Sequence, residues 1–243
     1  MAALVSFAVT VSLGQWQMSR ADQKNQLAAG VEAQKALPPL GNATLPEIDA
    51  AVPDWHRPVS LTGHWLSTAT VYLDNRQMHG RPGFYVLTPL QLDGQAFSVM
   101  VQRGWIARNF LDRTQLAAVE TPAGPVTVQG RIAAPPGQLF EFVGADSAAN
   151  AQGSSAIRQN LDLAGFAATS GLKLATTYSV LETGAASQGL QREWPQVGSG
   201  VSKHYGYAFQ WFGLASLITT LYVWFQFITP WRRRHQGPSS ANR

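Results

Sequence analysis

The chain has 243 residues, is 45% apolar and 13% charged, and contains no cysteine. That excludes disulfides and thiolate metal sites, and the length admits one domain with a core of its own. The formal net charge is +4, yet residues 21–203 hold 13 basic against 14 acidic residues, so the basic surplus lies at the ends and does not indicate nucleic acid.

Residues 1–19, MAALVSFAVTVSLGQWQMS, carry no charged side chain. As a helix they measure about 28 Å, just enough for a hydrocarbon core of about 30 Å. No basic n-region precedes them and no small-residue cleavage site follows. They therefore read as a first transmembrane helix rather than a cleaved leader. The next stretch, RADQKNQLAAGVEAQKAL, reads as the same helix continuing into water. A native start upstream of Met1 is expected, because basic residues usually precede such a span.

Residues 20–203 form the candidate outer domain. RPVSLTGHWL, TATVYLDNR, GFYVLTPL, FSVMVQRGWIAR, GPVTVQGRIAAP and TTYSVLET alternate at a period of two and predict strands. Val59, Leu61, Gly63 and Trp65 fall on one face, as do Val71 and Leu73. Turn signals stand at His79-Gly80-Arg81-Pro82-Gly83, Asp93-Gly94, Gly124-Pro125 and Pro135-Pro136-Gly137. Asp93-Gly94 between two strand-like runs predicts a hairpin. NLDLAGFAATSG predicts a short helix with Asp162 near its start and Gly171 just past its end. Residues 38–54 and 184–202, rich in Pro, Gly and Ser, read as loops or linkers. The expected fold class is thus a membrane α+β protein, a two-helix transmembrane hairpin with a large, mainly antiparallel β outer domain.

Enzymatic signatures are missing from this domain. There is no G-x-S-x-G, H-E-x-x-H or phosphate loop, and the four Met are scattered. His56 and His64 are eight apart without accompanying carboxylates, a weak metal pattern. Asp74, Asn75 and Arg76, with Arg103 and Arg108, are candidates for an active site, but such residues more often form strand-end ion pairs and solvated faces, and they read as these. Arg103 and Arg108 fall on opposite faces if their strand is regular.

Tyr205 to Trp231 is 27 residues without Asp, Glu, Lys, Arg or His, about 40 Å of helix. Aromatic residues crowd both ends, as in an interfacial belt. Pro230 is expected to end this second span (205–231), and Arg232, Arg233 and Arg234 follow. The tail 232–243 holds four Arg and no acid, which places it on the cytoplasmic side. Two spans then put both termini inside and residues 20–203 outside. No transit peptide precedes the first span, which favours a bacterial inner membrane.

Several stretches are similar to a known family. LGQWQMSR (13–20), VYLDNRQ (71–77), GFYVLTPL (83–90), VQRGWIAR (101–108), EWPQV (193–197) and KHYGYAFQWF (203–212) resemble, in order and spacing, the Surfeit locus protein 1 family, which includes the yeast Shy-type proteins. The resemblance covers nearly the whole chain and matches the two-span layout. It implies non-enzymatic inner-membrane assembly work on cytochrome c oxidase subunit I, beside other oxidase-assembly or haem a synthesis proteins. In bacterial members it implies a transient association with haem a.

In that light the polar residues at the outer end of the spans become candidates. His204 stands at the boundary, with Gln210 and Trp211 one to two turns deeper. Gln15, Trp16 and Gln17 stand at a similar depth in the first span. Helical spacing puts Tyr207, Ala208 and Trp211 on the His204 face. The polar groups either bond across and pair the helices, or edge a pocket for haem a. In the second case His204 is the axial ligand of the metal, and Trp211, Tyr207, Gln210, Gln15 and Trp16 line the cofactor. The other class of function is a membrane-anchored scaffold or enzyme that works through the outer β domain without haem.

Overall fold

The computed structural model describes residues 1–45, 55–112, 115–137, 156–195 and 200–235. It divides into two compact units, Val31–Pro195 on one hand and Met1–Gly30 with Gln196–Arg243 on the other.

The unit Val31–Pro195 is built on a sheet. Its strands are β1 (Pro58–Trp65), β2 (Val71–Met78), β3 (Arg81–Leu92), β4 (Ser98–Ala107), β5 (Val126–Ala133), β6 (Ile157–Arg158) and β7 (Ser179–Glu182). The order is β1-β5-β7-β4-β3-β2-β6, and β1 also pairs with the far end of β3. Five strands therefore close on themselves like a barrel, and β2 and β6 extend the sheet beyond β3. All pairings are antiparallel except β4 with β7 and β2 with β6.

The sequence pattern explains the placement. In β1, Val59, Leu61, Gly63 and Trp65 are buried while Ser60, Thr62 and His64 are exposed, so one face meets the core. In β4 all residues but the last are buried. That strand sits between two cores and has no solvent face. Val99 and Val101 join the barrel interior with Leu61, Leu90, Val128 and Val180. Met100 points the other way, to Leu73, Leu87 and Phe166. Phe166 lies on α2 (Leu163–Ser170). The Asp162 side chain accepts a hydrogen bond from the Gly165 N–H at 2.8 Å and caps this helix, and Gly171 closes it at φ 70.

Two of the expected turns behave differently from each other. Asp93-Gly94 does lie in the β3–β4 hairpin, whose register runs from Gly83 opposite Ala107 to Gln91 opposite Ser98. At 79–83 the turn is only two residues long. Met78 pairs with Arg81, and His79 and Gly80 take φ of 50 and 73, the left-handed pair that a tight hairpin needs. Arg81, Pro82 and Gly83 are strand.

The reading of 38–54 and 184–202 as linkers is corrected for the residues described. Leu40 is buried in the barrel core and bridges to Val59. Leu190 is buried against Phe84, Val86 and Ile106, and Gln191 bridges to Trp105. These flanks hold apolar anchors among their small residues. Positions 46–54 and 196–199 lie outside the described residues.

The solvated-face reading of the polar residues is corrected too. Strand β4 is not regular: Gln102 pairs with Leu87 and Gly104 with Val86, so Arg103 is the extra residue of a bulge. Its side chain is fully buried, stacks over Trp65 at 4.6 Å and donates to Thr121 Oγ1, the Glu120 carbonyl and Gln188 Oε1. Arg192 donates Nε–H to the Arg103 carbonyl and ion-pairs with Glu182 at 2.9 Å. Burial pulls the Arg103 pKa down and pushes that of Glu182 up, and the attraction between Glu182 and the two guanidiniums opposes both shifts. A second bulge falls at Asp74–Asn75 in β2, where Asn75 is left-handed at φ 58. Asp74 is buried, 3.9 Å from Arg108. The expected ion pair is present there, but on the inside.

The other unit contains two helical runs. Helix α1 spans Ala2–Lys35 without a break, so the polar stretch after residue 19 continues the helix. The second run is α3 (Val201–Val223), a π turn (Trp224–Ile228) and α4 (Thr229–His235). Among the described residues it is the helix long and apolar enough, by length and composition, to cross a membrane. Pro230 does not end it. The Thr229 N–H bonds to the Trp224 carbonyl five residues back, and the π turn carries the helix past the proline to His235.

Candidate functional site

The site is assembled from the first half of α1 and α3. Along α1, Thr10, Gly14, Gln17 and Ala21 are withdrawn from the surface; along α3, His204, Ala208, Trp211 and Ala215 are. Both sets alternate steps of three and four, so each forms one stripe of a helix and the stripes face each other. The helices are antiparallel, since Gly14 lies by Phe212 while Gln17 lies by His204. The small residues let the backbones approach. A Cβ on Gly14 would stand 2.6 Å from the Phe212 ring.

Within this seam His204 Nδ1 is 2.7 Å from Gln17 Oε1. An amide oxygen only accepts, so Nδ1 carries a proton, and in the neutral ring Nε2 holds the lone pair. Asn25, eight residues beyond Gln17 on α1, donates to Tyr205 Oη at 3.1 Å. The polar groups at this end do bond across between the helices.

The other sequence candidates scatter around this pair. Trp211 is half-buried on the same stripe as His204 and Ala208. Tyr207 and Trp16 are about half exposed, and Gln210 and Gln15 project away from the seam. Gln17, not Gln15, is the partner of His204. Spacing alone settles this choice only when the partner stripe is known. The weak metal pair His56 and His64 is not brought together: Arg131 holds His56 Nδ1 at 2.5 Å, and His64 pairs with Asp93 at 3.2 Å.

The donor set at His204 suits one kind of metal group better than others. No three His, Cys, Asp or Glu side chains converge among the described residues, so no chelating cage for a bare ion is formed there. A porphyrin needs only one axial side chain from the protein, and an imidazole whose Nδ1–H is anchored by an oxygen is the usual form of that ligand. Ala208 is buried in the seam, and the exposed rings of Trp16, Tyr207 and Phe209 are available as apolar contacts.

The chain is similar to known proteins. A 27% identical relative, a SURF1-like protein of Rickettsia bellii, aligns over 228 residues, 90% of this chain and 87% of its own. A SURF1-like protein of Rickettsia felis is 33% identical over 115 residues, 46% of this chain and 48% of its own length. The cytochrome oxidase assembly protein SHY1 of Saccharomyces cerevisiae is 31% identical over 102 residues, 41% of this chain and 25% of its own. The chain thus spans about half of the Rickettsia felis relative and a quarter of the yeast one. The model of the SURF1 family matches residues 4–216, from the start of α1 through the β unit and into α3. By that match the chain belongs to the SURF1 family.

Proposed function

We propose that the chain is a membrane-anchored, non-enzymatic assembly factor for a haem–copper cytochrome oxidase, and that it holds haem a at His204 for delivery to oxidase subunit I. The printed role of the yeast relative supports the first part. The observation that carries the second is the hydrogen bond from His204 Nδ1 to Gln17. It fixes the ring between two helices and leaves Nε2 as a directed lone pair. Haem a, when bound, supplies an iron that accepts this lone pair. Gln17 sets the tautomer and the ring plane, and Trp211, Tyr207 and Trp16 supply apolar contact. A single axial bond beside open helix faces fits a protein that must release its cargo again.

In this reading α1 and α3 are the two membrane spans, residues 20–203 lie outside and both termini lie in the cytoplasm of a bacterium. The Arg232–Arg234 triplet supports that orientation. The β unit then works as a recognition surface.

The test is the visible spectrum of the detergent-purified protein from cells that make haem a. His204→Ala is expected to remove or shift the Soret band, while His56→Ala, His64→Ala and His79→Ala leave it in place. Gln17→Leu keeps the ligand but frees its ring, and should weaken retention by about tenfold. An unaltered spectrum in His204→Ala would rule out ligation and reduce the pair to a helix clasp.

A further inference from the structure

The inner end of the second helical run presents an unmet hydrogen-bonding demand. Pro230 has no N–H, and the Thr229 N–H goes to the Trp224 carbonyl. The Phe225 carbonyl therefore lacks the donor four residues ahead and the one five ahead. Beside it, Gln226 is exposed and has no partner among the described residues. Gln226 is six residues before Arg232, about 9 Å deeper along the axis than the basic triplet. Around it stand Tyr222, Val223, Phe225 and Phe227, all exposed. An acyl chain can satisfy neither a carbonyl nor an amide. Non-helical hydrogen bonding at this depth is tolerated where a neighbouring protein element completes it.

We propose that the Phe225 carbonyl and the Gln226 amide form a docking point for a transmembrane helix of a client membrane protein. The client helix brings a polar side chain to this depth, a donor for the carbonyl and a donor or acceptor for the amide. Charge selects a client over a second copy. Residues 229–243 contain four Arg and no acid, so a parallel copy would set like triplets side by side. That the client is an oxidase subunit rests on the assembly reading above; the docking point does not.

The experiment uses the full chain in native membranes of cells that make a haem–copper oxidase. Phe227 is replaced by a photoreactive phenylalanine analogue, and adducts are identified by mass spectrometry. The expected adduct is with a transmembrane helix of an oxidase subunit. Gln226→Leu should lower its yield roughly threefold, the loss of one interhelical hydrogen bond in a membrane. Pro230→Ala, which restores the missing N–H, should lower it as well. Unchanged protein abundance and an unchanged His204-dependent spectrum establish that both variants are folded. Adducts only with a second copy, with the chain's own first helix or with lipid would overturn the proposal, as would a yield that ignores Gln226→Leu. Deleting the whole chain tests the assembly reading separately. If oxidase levels are then normal, that reading fails, while a Gln226-dependent adduct with another integral membrane protein still upholds the docking point.

Discussion

Glu182→Ala probes the most demanding feature of the β unit. The carboxylate is 13% exposed in its side chain and lies 2.9 Å from Arg192, which is 3% exposed. Arg103, fully buried, is the second cation that it attracts. Removing the acid leaves two guanidiniums close together with no countercharge from that position. Breaking a buried ion pair at one partner costs about 3–5 kcal/mol, against a total domain stability of about 5–15 kcal/mol. For a unit of this size the melting temperature should fall by roughly 6–20 °C. Glu182→Gln should cost less, because an amide oxygen can still accept from Arg192. The surface pair His79–Glu193 is the internal control. Both side chains are mostly exposed, so Glu193→Ala should cost less than about 1 kcal/mol. The assay is urea and thermal unfolding of the full chain in detergent, followed by the sheet signal in circular dichroism. If Glu182→Ala costs no more than Glu193→Ala, the cluster does not depend on charge compensation and the reasoning is wrong.

Further outcomes are expected elsewhere. Burial and the neighbouring Arg131 and Lys35 hold the His56 pKa below its ordinary 6.5. The folded state therefore prefers neutral His56, and this contribution to stability is full above about pH 6.5 and is lost as pH falls through the lowered folded value. His56→Gln, which can still accept from Arg131, should flatten the slope of unfolding free energy against pH in that window. Gly63→Ala would put a Cβ 2.1 Å from the Gln91 carbonyl oxygen, so it should open the β1–β3 closure, cost at least about 1–3 kcal/mol, and speed amide exchange at Leu90–Leu92. Gly14→Leu should separate α1 from α3, read as loss of a cysteine crosslink engineered across the seam. Alkaline phosphatase fused at Gly137 should be active and fused at the C-terminus inactive; activity at the C-terminus would reverse the proposed topology.

Much of the β unit was legible because alternation is a local property. Val59, Leu61 and Trp65, or Val71 and Leu73, announce a buried face whatever they pack against. Asp162 and Gly171 likewise mark a helix through hydrogen bonds within a few residues of themselves. The apolar length of the helical run from Val201 to His235 and its basic residues are equally one-dimensional. Other features depend on partners far along the chain. No local signal tells that Arg103 occupies a bulge, because the extra residue exists only relative to Val86 and Leu87 on β3. Its burial becomes tolerable only once Glu182, 79 positions on, is brought near. Leu40 and Leu190 look like linker residues until the barrel supplies a surface for them. At the helices the sequence by itself led to the expectation that His204, Gln17, Gln15 and Gln210 share a depth. Only the pairing of two stripes decided that Gln17 meets His204 while Gln15 and Gln210 turn away, because residues two apart on a helix point in nearly opposite directions. Pro230 was legible as a break, and the helix passes it through a π turn, since a helix that gains one extra residue in a turn can pass a missing donor without ending.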